Sequence, residues 1–356
     1  LYGREAERNE KANPGNGRTN RQTDISGDTE MRRAHILSTG SFLPDRIIPN
    51  EDLTQFSSEA RRLIAEKTGV QTRRHAAEDQ CTSDLAFAAA RACLGKIDFP
   101  PENLEGIVLS TSSPDRMQPA TATRVQHLLG ARNAFAFDIN SVCSGSSYGI
   151  AVVDSLIRSG SFRTILFVAA EMYSRILSPR DFATYPFFGD GAGAVLFQSA
   201  SGCPRGVLHS CLGTDGSRSD TICVPGGGTM LPFEKMPGPR SAFFRMKGEE
   251  VFAFTLDKGP KIIRRLLEEA GVAPEAVKRF ICHQANINIL YGIADQLGIP
   301  REKFFVNLDR YGNTASASVL IALDEAVARG DLTAGDLAVV AAFGGGLSWG
   351  ANLIRI

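Results

Sequence analysis

The sequence predicts an α/β protein of two similar halves, and three observations carry the prediction. From Met31 onward, short apolar strand patterns alternate with stretches of helical periodicity. Thr164-Ile-Leu-Phe-Val-Ala-Ala170 is an unbroken apolar run, the pattern of a strand covered on both faces of a sheet. Each half closes on a glycine-rich turn beside apolar strands, Phe188-Gly-Asp-Gly191 in the first and Gly344-Gly-Gly346 in the second. The division expected is a polar extension over residues 1–30, a first half over 31–200 and a second over 201–356.

The extension mixes Arg4, Arg8, Lys11, Arg18 and Arg21 with Glu5, Glu7, Glu10, Asp24, Asp28 and Glu30, and is too poor in apolar residues to build a core. Met31 is a candidate for the natural start. Ala34–Thr39 reads as a strand. Leu53–Lys67 reads as a helix stopped by Gly69. Ser83–Leu94 reads as a helix with Ser83 or Thr82 as its cap and Gly95 as its stop. Gly106–Ser110 is a strand, Ala120–Leu129 a helix ended by Gly130, and Ala134–Asp138 a strand feeding the helix Gly149–Ile157. In the second half Gly206–Leu212 is a strand, and Gly226 to Pro239 a long loop. Gly248–Ala270 is a long helix stopped by Gly271, and Phe280–His283 a short strand. Asn286–Leu297 and Ser316–Arg329 are helices, the latter solvated from Asp324 on. Asp336–Phe343 and Ser348–Ile354 are the last strands.

Composition excludes several classes. Lys+Arg and Asp+Glu both number 39 among 356 residues, so charge gives no signal for nucleic acid or an anionic membrane. No apolar run approaches the roughly 18 residues of a spanning helix. The polar N-terminus lacks the apolar stretch of a signal peptide. Seven cysteines without metal-ligand spacing predict reduced thiols and a cytoplasmic protein. Cys81, Cys93, Cys203, Cys211 and Cys223 are expected to be packing residues.

Chemistry centres on Cys143. It falls between a strand and a helix among Ser141, Ser144, Gly145, Ser146 and Ser147, small neighbours that admit a thioester. The position parallels a nucleophile elbow with sulfur for oxygen, and the helix end favours thiolate. Three further stretches bear on it. His283 ends a strand in Cys-His-Gln-Ala-Asn286, Asn313 precedes a helix in Tyr-Gly-Asn-Thr314, and Gly344 and Gly345 follow Phe343. A buried structural thiol, a satisfied histidine and ordinary turns would explain each one singly.

Together and in this order the motifs resemble β-ketoacyl-acyl carrier protein synthase III, of the thiolase-like superfamily. Its pattern is met by Asp138-x-x-x-x-Cys143-Ser-Gly, Phe188-Gly-Asp-Gly-Ala-Gly-Ala194, His283-Gln-Ala-Asn286, Leu308-Asp-Arg-Tyr-Gly-Asn-Thr314 and Ala342-Phe-Gly-Gly-Gly346. The resemblance runs from about residue 32 to the C-terminus. It implies a five-layered αβαβα body, a homodimer, and no metal or redox cofactor. It also implies ping-pong chemistry. Cys143 takes an acyl group from a thioester. His283 and Asn313 hold the enolate formed when a malonyl thioester loses carbon dioxide, and the N–H groups of Cys143 and Gly345 form a second oxyanion hole. Acyl carrier protein is the expected partner, with CoA thioesters as further substrates.

Departures from the family pattern bear on substrate choice. Leu63 and Phe182 stand where relatives clamp the CoA adenine with Trp and Arg. Ala253, Asn288, Asp295 and Gln296 stand where relatives carry basic residues for the carrier. Gln118, in the loop expected to reach a partner subunit, replaces an apolar aromatic. Asn286 and Gly344 complete the expected substrate contacts, and Arg245, Lys247, Lys258 and Lys261 are the candidates for positive charge at the mouth. Two other readings compete: an acyltransferase or non-decarboxylating condensing enzyme using the same Cys143, and a non-catalytic subunit, which would be expected to lose Cys143, His283 or Asn313.

Overall fold

The apolar strand runs pair into two large sheets covered by amphipathic helices, and four short strands pair into two small two-stranded sheets. The computed structural model describes residues 32–356; the expected extension over residues 1–30, and Met31, lie outside them. In chain order the elements are β1 (Arg33–Phe42), β2 (Arg46–Pro49), α1 (Ser58–Thr68), β3 (Thr72–His75), α2 (Thr82–Gly95), β4 (Gly106–Ser110), α3 (Thr121–Leu129) and β5 (Phe135–Ile139). Then come α4 (Gly145–Arg158), β6 (Thr164–Met172), β7 (Asp190–Ala200), β8 (Gly206–Thr214), β9 (Ile222–Cys223), β10 (Arg245–Met246) and α5 (Gly248–Ala270). The chain ends with β11 (Val277–Cys282), α6 (Ile287–Leu297), α7 (Leu308–Tyr311), α8 (Ala317–Ala328), β12 (Leu337–Gly344) and β13 (Ser348–Arg355).

One sheet has the order β1-β7-β6-β4-β5, with β4 parallel to β5 and β6 and with β7 antiparallel to both its neighbours. The other has the order β11-β12-β13-β8, parallel only between β11 and β12. Every residue of β6 and of β12 is buried, as strands covered on both faces require. Helices α4 and α8 pack between the sheets, α2 and α3 cover the outside of the first, and α5 and α6 the outside of the second. These are the five layers αβαβα. Among the described residues no helix is long and apolar enough to cross a membrane.

Several local expectations need correction. α1 begins at Ser58, five residues after Leu53, because the Ser57 hydroxyl caps it by accepting from Ala60 N–H. Asp84 at the third position of α2 accepts from Cys81 N–H, so the cap is Cys81, before Thr82 and Ser83, and the helix runs through Gly95. Asp324 is buried, not solvated: Thr39 and Ser41 of β1 both donate to it at 2.7 Å, and Lys96 Nζ lies 2.5 Å away. Cys93 and Cys211 are buried, whereas Cys81, Cys203 and Cys223 are only half-buried.

Candidate active site

Two central helices aim their N-termini at one place. β5 ends at Ile139, a single tight turn holds Val142–Ser144, and α4 starts at Gly145, four residues before the expected Gly149. Val142 has φ +47°, a conformation costly for a β-branched residue, and it sets Cys143 at the apex of a sharp turn. The second sheet supports that turn. Ser144 Oγ lies 2.7 Å from Ser348 Oγ, which donates to Gly345 O at 2.7 Å. Gly344 passes so close that a Cβ there would meet Ser144 N and Cys143 N at 2.7 and 2.8 Å.

His283 follows β11, where its N–H continues the ladder to Ala341 O at 2.8 Å. Ser318 Oγ accepts from Gln284 N–H at 3.2 Å and lies 2.8 Å from His283 Nδ1. The hydroxyl keeps its own proton free to donate to Nδ1, the arrangement that leaves Nε2–H facing the cavity chemistry. We therefore assign the proton of the neutral ring to Nε2. Burial lowers the His283 pKa to about 4, so the ring is neutral near pH 7.

Asn313 is pinned by its backbone: its N–H donates to Phe187 O at 2.8 Å, and Gly189 N–H donates to its carbonyl at 3.0 Å. Gly312, at φ +66°, permits this because a Cβ would meet Phe187 O at 2.8 Å. Asn313 Oδ1 accepts from Ala315 N–H at 2.9 Å. The acceptor end of the amide is thereby held back, and Nδ2 is left to donate.

Cys143, His283 and Asn313 line one cavity of about 230 Å³ with Asn286, under walls that include Phe187, Phe188, Phe244, Val251 and Phe343. No carboxylate is among its lining residues. Burial pushes the Cys143 thiol up, and the buried Glu171 carboxylate adds to the push. Burial thus opposes the expected pull of the helix end toward thiolate, and outweighs it. The Tyr173 hydroxyl opposes the push by donating toward the sulfur. Tyr173 and Glu171 were not anticipated. Tyr173 OH lies 3.0 Å from Ser112 Oγ, which donates to Glu171 Oε1 at 3.1 Å. Ser113 and Ser316 also donate to Glu171, at 2.6 and 2.7 Å. A lone Glu at the end of the apolar run before Met172 was the available signal.

Other expected contacts separate. Leu63 and Phe182 do not line the cavity; Phe182 packs its ring 5.1 Å from Phe56 and 6.2 Å from Phe187. Asn286 lines it while capping α6 through Asn288 N–H. Gln118 is exposed on its own loop and lines no part of this chain's cavity. Lys247 pairs with Glu250, which Arg218 also reaches, and Lys258 and Lys261 share Asp257, so three of the four expected cations have a carboxylate partner nearby. A second groove shares Phe244 with the cavity and carries Arg180, Arg240 and Arg245, none of them ion-paired among the described residues. Arg180 and Arg240 were missed because isolated arginines in loops carry no pattern.

The family models for 3-oxoacyl-[acyl-carrier-protein (ACP)] synthase III match residues 137–216, and those for its C-terminal part match residues 267–356. A β-ketoacyl-[acyl-carrier-protein] synthase III of Erythrobacter litoralis is 40% identical over 327 residues, covering 91% of this chain and 100% of the relative. The chain belongs to this family. Its members are acyl-transferring condensing enzymes of the chain-initiating kind, and this protein is one of them. The crystal structure of the synthase III of Aquifex aeolicus superposes with a TM-score of 0.83 at 37% identity, covering 91% of this chain and 100% of that one. A priming β-ketosynthase from the R1128 polyketide pathway superposes at 0.85 with 29% identity, covering 93% and 98%.

Proposed function

We propose that the cavity performs a decarboxylating Claisen condensation between an acyl group on Cys143 and a malonyl thioester. One observation carries the reading: a thiol, a neutral histidine and an amide donor line one apolar cavity whose lining has no carboxylate. Cys143 sulfur attacks the acyl thioester carbonyl, and the donor thiolate leaves with the proton. The N–H groups of Cys143 and Gly345 receive the tetrahedral oxyanion. His283 Nε2–H and Asn313 Nδ2–H then donate to the malonyl thioester carbonyl. Carbon dioxide departs, the enolate attacks the acyl-Cys143 carbonyl, and the Cys143 thiolate is expelled. Burial favours this use of His283, since a neutral ring donates without bringing a charge into a dry site. A non-decarboxylating condensation needs a base for the α-proton. The cavity lining offers no carboxylate for that work. The scheme calls on no metal or redox cofactor.

We infer that the donor arrives on an acidic acyl carrier protein, which Arg180, Arg240 and Arg245 beside the mouth would attract. Neither Leu63 nor Phe182 offers the cation–π partner that a CoA adenine would find between Trp and Arg. A homodimer is part of the proposal, with the exposed Met117–Gln118 loop facing the partner copy. The test supplies acyl and malonyl thioesters on a carrier protein and follows the product mass and carbon dioxide together. One carbon dioxide per 3-oxoacyl product, abolished by Cys143→Ser, is expected. Product formed without carbon dioxide would refute the reading.

A further inference from the structure

A cluster away from the Cys143 chemistry joins three good metal ligands. His209 and Cys211 lie two residues apart on β8, so both side chains project from one face of the strand. Glu269, in the last turn of α5, faces them. His209 Nε2 lies 2.8 Å from Glu269 Oε2, and the Cys211 thiol donates to the same oxygen at 3.4 Å. All three ligand atoms lie within 4.8 Å of one another. Arg265 Nε holds the other oxygen, Oε1, at 2.7 Å, leaving Oε2 for the cluster. Cys211 is 3% exposed, whereas His209 and Glu269 are part-exposed, so the group is anchored yet reachable from solvent.

The donor set is imidazole, thiolate and carboxylate, the mixed nitrogen, sulfur and oxygen set that Zn²⁺ takes with a water in the fourth position. Tetrahedral bonds to such ligands place the donor atoms roughly 3.5 Å apart. The separations of 2.8 and 3.4 Å, with none above 4.8 Å, need only small side-chain adjustments to reach that value. Charge fits too: one thiolate and one carboxylate balance a divalent cation. On binding, the cation replaces the Cys211 proton, which leaves to solvent, and the S–H bond gives way to an S–metal bond. Both backbones are held without the metal, since β8 is paired along β13 and α5 is a long continuous helix.

We propose that His209, Cys211 and Glu269 form a zinc-type site that clips the edge strand β8 to α5. The sequence hides it because Glu269 lies 58 residues from Cys211 and His-x-Cys matches no common metal spacing. The site is structural and independent of the Cys143 chemistry, so the condensation reading can fail without it.

Cobalt(II) is the probe. Titrated into the full chain after chelator treatment, one Co²⁺ per chain should give the visible bands of a four-coordinate site and a thiolate-to-cobalt charge-transfer band. Zn²⁺ should displace it and raise the melting temperature in a concentration-dependent way. Cys143→Ser should keep both sets of bands. Cys211→Ser should lose the charge-transfer band, and His209→Gln, a change at a part-exposed position, should weaken binding at least about tenfold. Absence of stoichiometric binding overturns the proposal. So does a charge-transfer band that survives Cys211→Ser, or a His209→Gln protein that binds cobalt as tightly as the parent.

Discussion

Gly344→Ala perturbs the nucleophile without touching its chemistry. The added Cβ would stand 2.7 Å from Ser144 N, 2.8 Å from Cys143 N and 3.1 Å from Ser141 O. All three are backbone atoms, so no side chain can swing away. Ordinary contact begins near 3.4 Å, so the glycine turn and the Cys143 turn must part by about 0.7 Å. Overpacking of this kind costs about 1–3 kcal/mol of stability. A shift approaching 1 Å in a reacting group costs on the order of 100-fold in rate. The variant should melt a few degrees lower and form acyl-enzyme about 100-fold more slowly, read as the intact mass of quenched samples over time. Gly216→Ala is the control, because a Cβ there meets nothing within 4 Å. Acylation of Gly344→Ala at the parent rate would refute the claim that Gly344 spaces the two turns.

Further predictions follow from the same cavity and its rim. Ser318→Ala leaves His283 Nδ1 and Gln284 N–H without their shared partner, at about 1–3 kcal/mol of stability; decarboxylation should slow about tenfold while acyl-enzyme formation holds, and an equal fall in both would mean a folding defect alone. His283 titrates near 4 when folded and near 6.5 when unfolded, so the unfolded chain binds the extra proton between those values. Stability should therefore be full above about pH 6.5 and fall by about 3 kcal/mol toward pH 4 from this group, with the burial-lowered His35 and His75 adding to the slope. Denaturant titrations across that range should show a shallower slope for His283→Gln; an unchanged slope contradicts the assignment. Arg180→Glu with Arg240→Glu should lower kcat/KM for a carrier-borne acyl group at least about tenfold at low salt and leave a pantetheine-borne one unchanged. An equal loss on both would show that the groove shapes the cavity rather than docking a carrier.

What the sequence disclosed, and what it withheld, follows from range. Cys143, His283 and Asn313 each stand at the end of an element bounded by strong periodicity, and the order of their motifs survives without any knowledge of loops. Asp324 looked solvated because it lies in the last turns of a helix, but its partner Thr39 is 285 residues away on β1. Glu171 and Tyr173 end an apolar strand, and only the fold carries Glu171 to Ser316 on the other central helix. Leu63 and Phe182 lie outside the cavity lining, and it is Phe187, one residue before the Phe-Gly-Asp-Gly turn, that reaches the cavity. Of the three arginines of the outer groove, Arg240 and Arg245 lie in one stretch ending in β10, but Arg180 comes from a distant loop, so no local pattern joins all three.

The central claim is a division of labour: Cys143 carries the acyl group, while His283 and Asn313 serve the enolate. The most direct measurement takes His283→Ala and Asn313→Ala and reads two quantities from each, the intact mass of the acyl-enzyme and the carbon dioxide released from a malonyl thioester. Loss of one oxyanion donor is worth roughly 10²- to 10³-fold. Both variants should still acquire the acyl mass on Cys143 and should lose carbon dioxide release by that factor. Release at the parent rate in both variants, or acylation lost in step with it, would contradict the account.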